Sequence, residues 1–192
     1  MDNNDIIKAL NSKLDQKRFN HTMGVANTAA CLAMSEGYDV GKAYLAGLLH
    51  DCAKYMTDDE YIAYCEKHDI EMTDVERLNP ALLHSKAGAY IAGKKYGVTD
   101  EEVISAIRWH TTGHPGMTKL EAIVFLADYI EPNRDHDPEL KRIRLEAFDD
   151  IDRAIYHVYV NTLKHLNNSG KSLDPATNET YLYYKELLSG RD

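Results

Sequence analysis

The sequence is short of the residues that brace a small protein from outside its core. Only three cysteines, Cys31, Cys52 and Cys65, occur in 192 residues. They are too few and too unevenly spaced for a disulfide framework or a cysteine-ligated zinc site, so a reducing, cytoplasmic setting is expected. No apolar run approaches the roughly 20 residues a membrane-spanning helix needs, and no membrane association is expected. The N-terminal Met1-Asp2-Asn3-Asn4-Asp5 is acidic and polar, where a secretory leader would be basic and then apolar. Basic residues are outnumbered, 22 against 31 acidic, for a formal charge of −9. A nucleic-acid binder presents a basic face, so the charge argues against a general nucleic-acid binder and none is expected as partner. A small anionic ligand stays compatible if metal ions and a few local Lys or Arg offset the global field. Strand alternation, internal repeats, low-complexity tracts and long linkers are missing too. One domain, residues 1–192, is expected, long enough to bury a sizeable core.

What the chain does have is helix signals from end to end. Asn4 is placed to cap a first helix whose Ile6, Ile7, Leu10 and Leu14 share one stripe, ending near Arg18. A second helix spans about Asn20 to Glu36, with Val25, Ala29, Leu32 and Ala33 on one face and Gly37 as its C-terminal cap. Asp39 caps a third, carrying Ala43, Ala46, Leu49 and His50. The capping-box pattern Thr-x-x-Glu recurs at Thr57/Glu60, Thr73/Glu76, Thr99/Glu102 and Thr118/Glu121. Further helices are expected over 84–96, over 101–111, from Asp137-Pro138 through Phe148, from Asp149 or Asp150 to about Asn167, and from Pro175 to Leu188. The expectation is an all-α bundle of roughly nine or ten helices, with a core over about 18–135 and C-terminal helices 138–188 packed on it.

Against this apolar background a few polar residues stand out. His50 and Asp51 directly follow Ala46-Gly47-Leu48-Leu49, and His21 lies on the face of Val25 and Ala29. His110 shares a face with Val103, Ala106 and Ile107, Asp128 ends the run Ile123-Val124-Phe125-Leu126-Ala127, and His84 begins a helix. A lone histidine on such a face is usually a hydrogen-bonded core residue. Several buried polar groups together need a common explanation, because each is costly without a partner. The loop Thr111-Thr112-Gly113-His114-Pro115-Gly116 follows His110 directly, which marks it as a segment for substrate contact.

His21, His50-Asp51 and Asp128, on successive helices, resemble the H…HD…D signature of the HD-domain superfamily of metal-dependent phosphohydrolases. Arg18-Phe19-Asn20-His21, Leu49-His50-Asp51-Cys52-Ala53-Lys54, Trp109-His110-Thr111-Thr112-Gly113 and Ala127-Asp128-Tyr129-Ile130-Glu131-Pro132-Asn133-Arg134 are similar to the YqeK-type family within it. The resemblance covers about residues 5–188. It implies symmetrical hydrolysis of diadenosine tetraphosphate to two ADP, a homodimer, and His21, His50, Asp51 and Asp128 as metal ligands. Imidazole and carboxylate donors without thiolate suit a six-coordinate cation such as Fe(II), Mn(II) or Co(II), with iron expected. Bound water would ionise near neutrality, and Asp51 is placed to bridge metals or accept its proton.

His84 and His110 are open to two roles, a second metal site or direct contact with phosphate oxygens, and the resemblance, which implies one iron anchored together with the nucleotide, favours the phosphate role. Arg18, Lys54, Arg134, Thr111, Thr112 and the Gly113 backbone are expected to hold the polyphosphate. Arg142 and Arg144 are further candidates, and Tyr129 could face the base. Family members often carry Arg where this chain has His114, and the stretch 135–139 is more acidic than a polyphosphate neighbour should be. His68, His136, His157 and His165 are read as surface or packing residues. Other readings of the same residues are an HD-type nucleotidase or nucleoside-diphosphate phosphohydrolase, a di-iron oxygenase that would consume dioxygen, and a non-catalytic nucleotide sensor.

Overall fold

The computed structural model describes residues 1–135, 137–169 and 175–191. The expectations for His136, and for the part of 138–188 between 170 and 174, fall outside them. Among the described residues there are eleven α-helices, one 3-10 turn and no strand, against the nine or ten helices expected. They are α1 (Asn3–Asn11), α2 (Gln16–Ser35), α3 (Val40–Leu49), α4 (Asp58–Lys67), α5 (Asp74–Leu78), the 3-10 turn Pro80–Leu83, α6 (His84–Lys94), α7 (Glu101–Trp109), α8 (Lys119–Ile130), α9 (Leu140–Glu146), α10 (Ile151–Ser169) and α11 (Pro175–Ser189). Helix α2 packs against α3 and α8, α7 joins α6 to α8, and α10 lies between α8 and α11. One buried apolar cluster runs from Ile6 in α1 to Tyr184 in α11.

Small residues decide how closely the central helices approach. Ala26, Ala29 and Ala33 of α2 and Ala43 and Ala46 of α3 are all fully buried. A Cβ added at Gly47 would sit 2.9 Å from the Ala26 Cα, so glycine lets the two backbones meet. That approach brings the His21 and His50 side chains together.

Most helix starts follow the capping chemistry in the sequence. Thr57/Glu60, Thr73/Glu76 and Thr118/Glu121 form complete capping boxes, Asp39 caps α3, and Gly37 takes a left-handed φ of +61° after α2. Four starts are corrected. Asp2 rather than Asn4 caps α1, and Asp15 rather than Asn20 opens α2 by accepting the Arg18 N–H at 2.8 Å. Because Asp15 is extended, α1 stops at Asn11 instead of running to Arg18, and Leu14 is buried from the intervening turn. The Thr99/Glu102 box does not form: Asp100 caps α7, and the Glu102 carboxylate pairs with Lys42. Helix α9 begins at Leu140 rather than at Asp137, whose carboxylate accepts the Glu139 N–H at 2.8 Å.

Candidate metal centre

Six buried or half-buried side chains from five segments converge on one point. His21 comes from the second turn of α2, His50 from the C-terminal cap of α3 with Asp51 next to it, and His84 from the first residue of α6. His110 caps α7 and Asp128 lies near the end of α8. His50 is inaccessible to solvent, while the Asp128 side chain keeps 22% of its surface, so the cluster opens to water on the Asp128 side. Asp51 sits in the middle. Its Oδ2 lies 3.8 Å from His21 Nε2 and 3.5 Å from His50 Nε2, and its Oδ1 lies 3.4 Å from His84 Nε2 and 3.7 Å from His110 Nε2. Asp128 Oδ1 is 3.0 Å from His21 Nε2.

The second nitrogen of each ring fixes what the first can do. The carbonyls of Gly47, Ala81 and Ile107 lie 2.7, 2.6 and 2.8 Å from Nδ1 of His50, His84 and His110, and Glu131 Oε1 lies 3.0 Å from His21 Nδ1. Every one of these oxygens can only accept, so each Nδ1 carries a proton and each Nε2 of a neutral ring offers its lone pair inward. His84 Nε2 and His110 Nε2 stand 3.0 Å apart, both within reach of the Thr111 hydroxyl at 3.1 and 3.2 Å. One hydroxyl proton cannot satisfy two facing lone pairs. A cation between them can, and this orphaned pair is the feature the donor set fits best.

Charge points the same way. Burial pushes His84 down to about 3, helped by Lys54, and His110 down to about 4, helped by His50, so both are neutral donors at ordinary pH. Burial also lowers His50, but the Asp51 charge more than offsets it and the net direction is upward. Asp51 and Asp128 are held well below the usual carboxylate range: burial raises each, and His50 for Asp51, or the His21 hydrogen bond for Asp128, prevails. Two ionised carboxylates among four histidines are a donor set that could hold a divalent metal. Three overlapping donor sets arise, His21–His50–Asp51, His50–His110–Asp128 and Asp51–His84–His110, each with its donor atoms within 4.8 Å of one another.

The residues expected to hold phosphate have more varied surroundings. Arg18 Nη1 lies 2.7 Å from Asp51 Oδ2 and Arg134 Nη2 lies 2.7 Å from Asp128 Oδ1, so both guanidinia border the cluster. Lys54 is half-buried nearby, its pKa lowered by burial against the pull of Asp51. Thr111 touches the inner histidines, and the Thr112 hydroxyl donates to the Gly113 carbonyl. The Gly113 N–H donates to the Trp109 carbonyl at 2.8 Å, closing the end of α7. His114 turns toward Glu121, 3.0 Å away, and lies against Trp109. In the acidic stretch, Asp137 accepts from Tyr129 and Asn161, and Glu139 pairs with Arg142. Arg144 donates to the carbonyls of Ile130, Glu131 and Arg134, so it braces the turn after α8.

Two hollows flank the cluster. One of about 240 Å³ is lined by Arg18, His21, Glu131, Asn133 and Arg134. A separate recess of about 80 Å³ touches His110, Thr111 and Asp128, and it shares Tyr129 and Thr162 with a cavity of about 740 Å³ that reaches Asp137, Asn161 and Leu166. Sequence reasoning missed Glu131, which is 1% exposed and faces His21. Its signal in the sequence was a carboxylate three residues beyond Asp128, inside the Ala127–Arg134 stretch that carries the family resemblance.

The HD-domain family model matches residues 18–133. The chain is 38% identical to a symmetrical bis(5'-nucleosyl)-tetraphosphatase of Bacillus subtilis, over 99% of this chain and 100% of the relative. A protein of the same description from Staphylococcus aureus is also 38% identical, over 90% of this chain and 89% of its own. A crystal structure from Clostridium acetobutylicum, described as a predicted HD superfamily hydrolase involved in NAD metabolism, matches with a TM-score of 0.93 at 37% identity, over 97% of this chain and 98% of that one.

Proposed function

The chain belongs to the HD-domain family and, within it, to the group of the symmetrical bis(5'-nucleosyl)-tetraphosphatases, and on that premise we propose that it cleaves diadenosine tetraphosphate into two ADP at this metal centre. The observation that carries the reading is Asp51, whose two oxygens face separate histidine pairs across one buried carboxylate. That arrangement favours two ions. His21, His50, Asp51 and Asp128 would hold the outer one and Asp51, His84 and His110 the inner, so the two inner histidines are read as ligands rather than phosphate contacts. Bound divalent ions would supply a water that ionises near neutrality and a Lewis acid for a phosphoryl oxygen. Among ions suited to mixed imidazole and carboxylate donors the proposal is Fe(II), with Mn(II) and Co(II) as substitutes.

The chain's own residues do the rest. Asp51 and Asp128, both ionised, would balance the metal charge, and the proton lost by the attacking water passes to solvent on the open Asp128 side. Arg18, Lys54 and Arg134 offset the tetraphosphate charge on an otherwise acidic protein, the two arginines as bidentate donors once they leave the carboxylates. Water adds to one inner phosphorus, the central P–O bond breaks, and the two halves leave as ADP. Two separate hollows bordering the cluster suit two nucleoside arms running away from a central cut, with Tyr129 at the wall of the larger cavity. The proposal extends to one domain over 1–192 and to a homodimer, which sedimentation at working concentration tests.

Incubation of metal-stripped protein with diadenosine tetraphosphate and Fe(II), Mn(II) or Co(II) under anaerobic conditions, with products separated by ion exchange, decides the matter. ADP as sole nucleotide product, dependent on metal, supports it. ATP with AMP would refute the cleavage position, and turnover of nucleoside mono- or diphosphates alone would favour a nucleotidase.

A further inference from the structure

We infer that Glu131 is a positioning residue for the metal centre: it locks His21 in the tautomer that points a lone pair at the ion, from a seat that exists because residue 24 is glycine. The inference rests on the reading of the cluster as a metal site. The buried Glu131 carboxylate meets three N–H donors, His21 Nδ1 at 3.0 Å, the Asn133 backbone at 2.8 Å and Asn133 Nδ2 at 2.9 Å. The first lies on Oε1 and the other two on Oε2. Arg144 fixes the same turn through the Glu131 and Arg134 carbonyls, at 2.9 and 2.8 Å. A Cβ at residue 24 would fall 2.2 Å from Glu131 Oε2 and 3.1 Å from Asn133 Nδ2. The atom in the way is the carboxylate itself, so any side chain at this position must expel it.

Charge and donor count explain why a carboxylate stands here. His21 sits inside α2, where backbone carbonyls are already bonded within the helix, so its Nδ1 needs an acceptor from elsewhere. Glu131 provides one, and its negative charge makes the ring a better electron donor at Nε2. Glutamine cannot replace it. Its single oxygen could serve either His21 or the two Asn133 donors. With the amide nitrogen toward His21, the imidazole would have to accept at Nδ1 and turn an N–H toward the ion. With the nitrogen toward Asn133, donors would face donors.

The test is a Mn(II) titration of metal-stripped, full-length protein, with free ion counted from its EPR signal and the thermal unfolding of each metal-free sample recorded beside it. Glu131→Gln should weaken the outer ion about ten- to a hundredfold and leave the inner ion near its wild-type affinity. Asn133→Ala, an exposed and mild change, should move the same constant in the same direction by less, and it reads the inference even if Glu131→Gln does not fold. Gly24→Ala should match Glu131→Ala, and the double variant should be no worse than either. Outer-site affinity unchanged in a folded Glu131→Gln or Asn133→Ala protein overturns the inference, as does full additivity of Gly24→Ala with Glu131→Ala. Wild-type protein that binds no Mn(II) would overturn the metal reading along with it, whereas the variant results bear on Glu131 alone.

Discussion

Three of the four histidines are oriented by their own neighbourhood and one by a distant helix. His50, His84 and His110 each give Nδ1–H to the carbonyl three residues earlier, whereas His21 gives it to Glu131, 110 positions downstream. The difference follows from where each sits. The last carbonyls of a helix have no partner within it, so a histidine at or just past a helix end finds an acceptor at once. His21 is inside α2 and has none to spare. The inner half of the centre is therefore assembled from local geometry, while the outer half depends on the packing of α2 against α8. That dependence goes with exposure, since the outer half is also where Asp128 meets solvent and where Arg18 and Arg134 approach.

The largest effect should come from the residue that serves both halves. Asp51→Ala removes a donor from each proposed ion, and tetraphosphatase activity should fall by roughly a thousandfold, corresponding to the several kcal/mol that metal-based stabilisation supplies. Activity within tenfold of wild type would sink the bridging role.

Next, His110→Ala should reduce bound metal from two ions per chain to one, measured by elemental analysis after dialysis, and Glu131→Gln should spare the inner ion that His110→Ala loses. Two ions still bound after His110→Ala would return His84 and His110 to the role of phosphate contacts.

A smaller effect tests the local anchoring. Gly47→Ala places a methyl 2.9 Å from the Ala26 Cα. It should destabilise the fold by about 1–3 kcal/mol through overpacking, read as a lower Tm, while the Gly47 carbonyl still orients His50. A Tm equal to wild type would show that α2 and α3 can separate at no cost.

The smallest prediction concerns Glu121, which lies outside the centre. Burial raises its pKa, but the Ser105 hydroxyl and the Thr118 cap hold it below the usual carboxylate value. The folded state thus binds the proton more weakly than the unfolded one. The stabilisation is fully present above the ordinary glutamate value of about 4.3 and is lost as pH falls through the lowered folded value. Glu121→Gln should flatten that acid limb in a thermal-melt series across pH 3 to 6. An unchanged limb would place the linkage elsewhere.

Much of this molecule is legible along the chain because its signals are local. Thr57/Glu60, Thr73/Glu76, Thr118/Glu121, Asp39 and Gly37 act within one turn of themselves, and the structure uses them as written. Where two caps compete over neighbouring residues, as with Thr99 and Asp100, spacing alone cannot choose. At α7 the Asp100 carboxylate accepts the Glu102 N–H, and the Glu102 side chain that a Thr99 box would need is held by Lys42 across from it on α3.

The candidate site divides in the same manner. Residue type and burial pattern pick out His21, His50, Asp51, His84, His110 and Asp128, because polar groups on apolar faces are costly without a shared purpose. His114 and Gly113 show the limit: both lie in a loop next to the centre, yet the His114 ring faces Glu121 and the Gly113 amide closes α7. By itself, then, the sequence determined an all-helical chain, many of its caps and the donors available to a metal. Only the tertiary structure decided which oxygen of Asp51 faces which histidine pair, and that Glu131 reaches across to His21 through the space left at Gly24. Helical periodicity gives each side chain's direction about its own axis, but distance and tautomer between helices are set by how closely their backbones can pack.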